Sequence, residues 1–545
     1  MKADSRSTAP TWYETAVLYE LNVETFQDGN GDGIGDFPGL TARVPYLVDL
    51  GVNAVWLQPF YPSPRRDHGY DVTDYKRVDP RFGTLEDFDA FVAAAHDAGI
   101  RVLLDVPFNH TSDRHPWFQA ARRDPSSPYH AYYVWADTPP EPRSPYLVFP
   151  GFQTSNWSYD DASGRYYFHT FYDFMPDLDI SNGAVRAEIL DVARFWTRRG
   201  IDGFRLDALP YLVVDRSRKE RLAHPHAFLK EFRAAVTELR PDAALLAEVD
   251  KAPDEMRPFF GDGDEMHLLL NFYLDNHLFL GLADERAEPI ARAWSELPPI
   301  PRGTNWANFL RNHDELSLAQ LTSEERTRVF AAFAPDASMR AYERGIRRRL
   351  APMLRGDERR VRQAFSLLFS LPGTPVVFYG DEIGLGDRLD LPERDAVRTP
   401  MQWTAERGAG FTDAAPVRPF PSGAYSSVYV NVDAQRRDPA SLLNFVRDVI
   451  RVYRSHSACG RGKFEPHDVG DPHVLAHEVR DGEDVVYALH NLAGTSREVT
   501  FEQSSDARVV LADADTRVVA PGRVALAPRG FVWWAAPSHS TEEAS

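Results

Sequence analysis

The chain has 545 residues, enough for a large core divided over two or three domains. Its 80 acidic residues outnumber the 61 basic ones, a formal charge of -19, which argues against the basic face that nucleic-acid binding needs. No apolar run reaches the length of a membrane span, the first ten residues lack a signal-peptide core, and the single Cys459 rules out an intrachain disulfide; the expected setting is the cytoplasm.

The first informative stretch is DGNGDGIGD, Asp28 to Asp36, with oxygen-bearing side chains on alternate residues and glycines between them. It has no Lys-Ser or Lys-Thr end, so it is not a phosphate loop. It begins like an EF-hand, but Gly39 stands where the closing bidentate glutamate belongs, and FPGL does not read as a second helix. Hard oxygen donors with room for a tight wrap still suit calcium. Magnesium, which prefers a tighter shell, and a metal-free glycine turn are the alternatives.

A rhythm of helix, glycine, short apolar strand and polar strand end follows. VNAVWL (52–57) reads as a strand. LEDFDAFVAAAHDAG is a helix with a glycine exit, followed by IRVLLDVPF; AEILDVARFWTRRG precedes IDGFRLDAL, HAFLKEFRAAVTEL precedes DAALLAEV, and RQAFSLLFSLPG precedes TPVVFYG. This is parallel β/α construction, which fits a closed barrel or an open doubly wound sheet. Polar residues at the ends of several separate strands favour the barrel. Residues 111–182 break the rhythm, with many Pro, Tyr, Trp and Asp, and read as an excursion placed to close over a cleft. A second irregular region spans 385–436. GIRRRLAPML reads as a basic helix, and the histidines of HPHAF, His224 and His226, as surface or packing residues. Beyond Arg461, short alternating runs suggest an antiparallel sandwich; of Trp533 and Trp534 at least one should be buried, and the tail SHSTEEAS reads as disordered.

Four strand ends carry the chemistry: Asn109 and His110, Arg205 and Asp207, Glu248, and the run Asn312, His313, Asp314 and Glu315. Arg205 and Asp207 share a strand face, so the guanidinium is expected to keep Asp207 ionised and suit it to nucleophilic attack. Glu248 has an apolar flank that should raise its pKa and suit it to proton donation. His313 can donate to a sugar hydroxyl, and Asp314 can accept from two. Two carboxyls ~5–5.5 Å apart make a retaining glycosidase. Any one of them could instead be a structural ion pair.

LLDVPFNH, GFRLDA, the EV of LLAEV and FLRNHD resemble the four signature regions of the α-amylase family of glycoside hydrolases. YPSPRRDHGYDVTDY, GTLEDFDAFV, NHTSDRHPWF, GIRRRLAPML, PVVFYGDEIGLGD and RTPMQW are similar to its trehalose synthase branch. The resemblance runs from about residue 12 to 535. It implies a (β/α)8 TIM barrel in 1–110 and 183–450, an inserted lid in 111–182 and a β-sandwich in 451–545. It further implies Asp207 as nucleophile, Glu248 as acid and base, and Asp314 as transition-state stabiliser. His110, Arg205 and His313 would line the glucose, Asp67 and Tyr70 would contact its far side, and Arg398 would pair with Asp67. Calcium would be held by Asp28, Asn30, Asp32, Asp36 and the Ile34 carbonyl, with a second site at Asn109, Asp177 and the carbonyls of Tyr211 and Leu212. Val214 stands where the family often adds a glutamate to that site. No organic cofactor is implied. The expected partners are small α-glucosides, and a homo-oligomer is compatible with the sequence. The implied reaction is interconversion of maltose and trehalose. The alternative is an exo-acting α-glucosidase or trehalase-type hydrolase, because HTFYDFMPDLDISNG and AEVDKAPDEM depart from the branch pattern on the acceptor side.

Overall fold

The helix–glycine–strand rhythm is a capping arrangement. In the helix Leu85–Asp97, Thr84 and Asp87 form a reciprocal capping box at the start. At the end, Gly99 takes a left-handed φ of 74°, which lets the Ile100 amide bond back to the Ala95 carbonyl and turns the chain into the next strand.

Residues 11–141, 147–213 and 226–536 are described in this computed structural model; Val214, His224 and the tail SHSTEEAS lie outside them. Eight parallel strands close into a barrel: β1 (Leu18–Leu21), β2 (Ala54–Leu57), β3 (Arg101–Val106), β4 (Gly203–Leu206), β5 (Ala244–Ala247), β6 (Leu268–Leu270), β7 (Asn305–Phe309) and β8 (Thr374–Phe378). Closure comes from β8 pairing with β1, Val376 opposite Leu18. The doubly wound alternative is excluded.

The period of two along each strand separates lumen from shell. Leu18, Trp56, Leu103, Leu246, Leu268, Phe309 and Val376 fill the lumen, while Tyr19, Val55, Leu104 and Leu245 pack outward against the helices. One or two steps further along, the same inward parity turns polar: Glu20 after Leu18, Asp105 after Leu103, Arg205 after Gly203, Glu248 after Leu246. The apolar plug therefore forms the floor on which the charged residues stand.

Between β3 and β4 the chain leaves the barrel. It forms the helix Pro116–Arg123 and a small sheet of Trp135–Ala136, Arg165–Phe168 and Trp157–Asp160. Beyond the barrel, five strands (Lys463–His467, Val474–Asp481, Asp484–Asn491, Phe531–Ala535 and Arg508–Ala512) pack on three (Arg497–Thr500, Arg523–Leu526 and Arg517–Ala520) around Val499, Leu526 and Trp534. Both tryptophans of the last strand are buried. Trp534 faces the gap between the sheets, and Trp533 donates from Nε1 to Ser366 Oγ on a barrel helix at 2.9 Å.

GIRRRLAPML is not a basic helix. Only Leu350–Met353 is helical, and the arginines precede it, with Arg348 on Asp387 and Arg349 on Asp381 and two backbone carbonyls. Among the described residues no helix is long and apolar enough to cross a membrane.

Candidate active site

The carboxyl ends of the strands surround a cavity of about 180 Å³, with Tyr70, His110, Asp207, Glu248, Asp314 and Arg394 in its wall. That is far more than the ~10–15 Å³ that holds one water.

Arg205 is the hub. Its Nη1 donates to Asp207 Oδ1 at 2.5 Å and to Asp105 Oδ1 at 3.0 Å, and its Nη2 binds Glu248. One planar fork thus holds Asp207 and Glu248 side by side, the two carboxyls that a retaining mechanism needs. Beyond Asp207 the backbone is strained, with Ala208 at a left-handed φ of 46°, where the chain turns from the strand into the helix Leu209–Leu212.

The three carboxyls differ in electrostatics. Burial raises Glu248 to about 7 against the pull of Arg205, with Asp207 and Asp314 adding to the rise. Asp207 is raised to about 6, chiefly by burial, with Asp105 and Asp314 adding to it against Arg205. The expectation that Arg205 would dominate at Asp207 is therefore corrected: the same guanidinium serves three acids. Asp314 goes the other way. Burial pushes it up, but Arg394, His313 and Arg398 outweigh that and hold it far below the usual carboxylate range. Arg394 Nη1 and Arg398 Nη2 donate to Asp314 Oδ1 at 2.7 and 2.8 Å, and His313 Nε2 lies 3.3 Å from Oδ2.

Asp67 is paired with Arg394 (2.9 Å), not with Arg398. Arg398 instead grips the His313 carbonyl and Asp314. The two arginines are four residues apart in ERDAVR: Arg394 lies in the short 3-10 helix Glu393–Val397, with its guanidinium 5.3 Å from the ring centre of Phe149 in the insert, and Arg398 caps that helix. Arg394 thereby bridges Asp67 and Asp314 and closes the pocket on that side. Tyr70 lies parallel to His313 with ring centres 5.4 Å apart, and its hydroxyl bonds Asp105. His110 supports this wall from behind, its Nε2 donating to the Tyr70 carbonyl at 3.2 Å, and burial lowers the pKa of its ring. Phe149, Tyr172 and Tyr342 stack above, with both tyrosine hydroxyls on Glu393, tying the insert to the loops after β7 and β8.

Sequence reading missed Glu20, Asp105 and Arg394. The first two carried a usable signal, since each is an acid at an inward position of a strand. Arg394 had only its spacing from Arg398.

In the loop 28–36, Asp28 caps the amides of Asn30, Gly31 and Gly33, and Asp36 those of Gly29 and Gly39. Asp28 also accepts from the Thr412 hydroxyl at 2.5 Å, and every polar side chain of the loop, Asp28, Asn30, Asp32 and Asp36, offers an oxygen. That all-oxygen set fits a hard cation, although among the described residues no three acidic or histidine groups converge as a cluster. At the second position Asn109 Nδ2 bonds Asp177 Oδ1 directly (3.2 Å), and Asp177 accepts the Thr170 amide and hydroxyl. Tyr211 and Leu212 lie on the short helix Leu209–Leu212, with Tyr211 against Phe171.

A family model described as alpha amylase, catalytic domain, matches residues 21–462. The trehalose synthase/amylase TreS of Mycobacterium tuberculosis is 43% identical over 97% of this chain and 91% of its own. The trehalose synthase of a Pimelobacter species is 42% identical over 89% of this chain and 87% of its own. Among solved structures, the α-glucosyl transfer enzyme XgtA superposes with a TM-score of 0.78 at 28% identity, covering 97% of this chain and all (100%) of that one.

Proposed function

Because the chain belongs to the α-amylase family, we propose that its cleft performs retaining α-glucosyl transfer on small α-glucosides, chiefly the interconversion of maltose and trehalose. The observation that carries this reading is the single guanidinium spanning Asp207 and Glu248 beside an Asp314 held ionised by two arginines. In this reading Asp207 attacks the anomeric carbon while Glu248 protonates the departing oxygen, leaving a β-glucosyl ester on Asp207 and a free glucose. Asp314 binds two ring hydroxyls more tightly as the ring flattens toward an oxocarbenium ion. Glu248, now ionised, takes a proton from a different hydroxyl of the retained glucose, whose oxygen displaces Asp207. Isomerisation needs that glucose to stay. The roof of Phe149, Tyr172 and Tyr342 and the Asp67–Arg394 closure support its retention. Water arriving first gives hydrolysis, in keeping with the "amylase" in the name of the mycobacterial relative.

The test supplies maltose and trehalose separately and follows both disaccharides and free glucose. Conserved total disaccharide is expected; two glucose released per disaccharide consumed would replace the isomerase with a hydrolase. The pH dependence is a separate check. Because Asp207 must be ionised and Glu248 protonated, kcat/KM should rise through pH about 6 and fall through about 7. A plateau extending to about pH 9 would remove Glu248 from the role of acid.

The loop 28–36 is proposed to hold structural calcium through Asp28, Asn30, Asp32, Asp36 and the Ile34 carbonyl. When bound, the ion would neutralise the loop's carboxyls and brace the loop after β1, and no step of the reaction passes through it. Asp32→Ala should lose the metal and lower the melting temperature by several degrees, since saturating ligand at 100 times its Kd contributes ~2.7 kcal/mol. The product ratio should not move. Equal metal content and equal melting in that variant would disprove the brace. The lone cysteine favours a cytoplasmic setting.

A further inference from the structure

The contacts of His313 determine where its protons sit. The Tyr70 hydroxyl lies 2.6 Å from His313 Nε2 and 2.9 Å from Asp105 Oδ2, and has one hydrogen to give. Asp105 also receives Trp56 Nε1 at 3.0 Å and Arg205 Nη1 on both oxygens at 3.0 and 3.2 Å. It is an acceptor throughout, so it takes the phenolic hydrogen, and the bond between Nε2 and Tyr70 must be donated by the histidine. On the other side of the ring, Nδ1 meets Glu20 Oε1. That oxygen already accepts Gln58 Nε2 at 3.0 Å and faces the His313 amide at 3.4 Å. It too is an acceptor, so Nδ1 also carries a hydrogen.

We propose that Glu20 is a positioning residue that holds His313 as an imidazolium, so that the hydroxyls of the bound sugar meet a fixed cation beside Asp314 rather than a neutral ring. Glu20 lies on β1, is fully buried, and its Oε2 has no hydrogen-bond partner among the described residues. A carboxylate there needs a counter-charge, and the ring supplies it. Other charged or titratable groups face the ring from every side: Tyr70 from the loop after β2, Asp105 from β3, Asp314 from its own loop, and Arg398 from the loop after β8. Of these only Arg398 opposes the charge by close contact, through the His313 carbonyl. Burial also opposes it, but Asp314 and Glu20 outweigh both and raise the pKa of the ring. The purpose of the device rests on the glucosyl-transfer reading; its geometry does not.

The test uses the full chain with histidine rings labelled at nitrogen, His313 being assigned by its loss in His313→Gln. Both ring nitrogens should show protonated shifts throughout about pH 6 to 9, where an ordinary histidine loses its charge. Glu20→Gln keeps the shape of the contact without the charge. There the ring should titrate inside that window, and kcat/KM should fall about 10- to 100-fold, mostly in kcat, the scale of one charge-assisted hydrogen bond. Glu20→Asp should restore part of both. A neutral ring in the unaltered protein at pH 7 would overturn the proposal, as would a folded Glu20→Gln variant with the same ring titration. Product analysis that contradicted glucosyl transfer would leave the nitrogen shifts standing, so the two readings fail separately.

Discussion

Asp207→Asn should lower kcat/KM for maltose by about 10⁴-fold or more, the scale seen when a covalent nucleophile is removed, while leaving the fold intact. Asparagine can still accept from Arg205 Nη1 through its carbonyl oxygen, so the fork keeps its geometry. What it loses is the anion that bonds to the anomeric carbon. The stability should move in the opposite direction. The carboxyl of Asp207 is raised to about 6 in the folded chain, above its unfolded value, so its ionised form disfavours folding at pH 7. A neutral amide removes that cost, and the melting temperature should be no lower than that of the parent. Melting and turnover measured on the same sample separate this outcome from misfolding. Activity within tenfold of the parent would end the assignment of Asp207 as nucleophile. A large fall in melting temperature would instead mean that the charge serves the fold.

The barrel was legible because parity and period act locally. A run such as GFRLDA states its own alternation, and Arg205 and Asp207 do share the lumen face. β1 and β6 escaped for a physical reason: β1 follows only the short turn Trp12–Glu14 and not a helix with a glycine exit, and LLL is three residues, too short to distinguish a strand from any buried apolar piece. The arginine pairing was not legible. Arg394 and Arg398 are the same residue type four residues apart, and only the path of the loop after β8 decides which meets Asp67. The pKa of Asp207 was misread because a neighbour visible in sequence, Arg205, was weighed without Asp105 and Asp314, which arrive from distant strands. Electrostatics at a barrel rim is a sum over many chain segments, and sequence presents them one at a time.

That sum is most exposed at Arg205, where Arg205→Met should cost both the fold and the reaction. The guanidinium is completely buried, lies 5.0 Å from the ring centre of Trp56, and is the contact shared by Asp105, Asp207 and Glu248. Methionine can fill much of the volume but leaves three acids in a dry lumen. Removing one partner of a buried ion pair costs ~3–5 kcal/mol, and here three acids lose theirs. The penalty should depend on pH in a defined direction. Without Arg205 the folded-state pKa values of Asp207 and Glu248 rise further above their present values of about 6 and 7. Below those values the acids are neutral and the loss is small. Above them, ionisation disfavours folding, so the gap in melting temperature between variant and parent should widen from about pH 5 to 8. At pH 7 the variant's Asp207 would be largely protonated, which removes the nucleophile as well as its aim. Arg205→Lys should narrow the melting gap by returning a cation, yet leave turnover low, because one ammonium cannot span Asp207 and Glu248 as a planar fork does. Parallel melting curves across that pH range would show that Arg205 does not set the charge balance of the site, and full turnover in the lysine variant would show that its shape is not what aligns the two carboxyls.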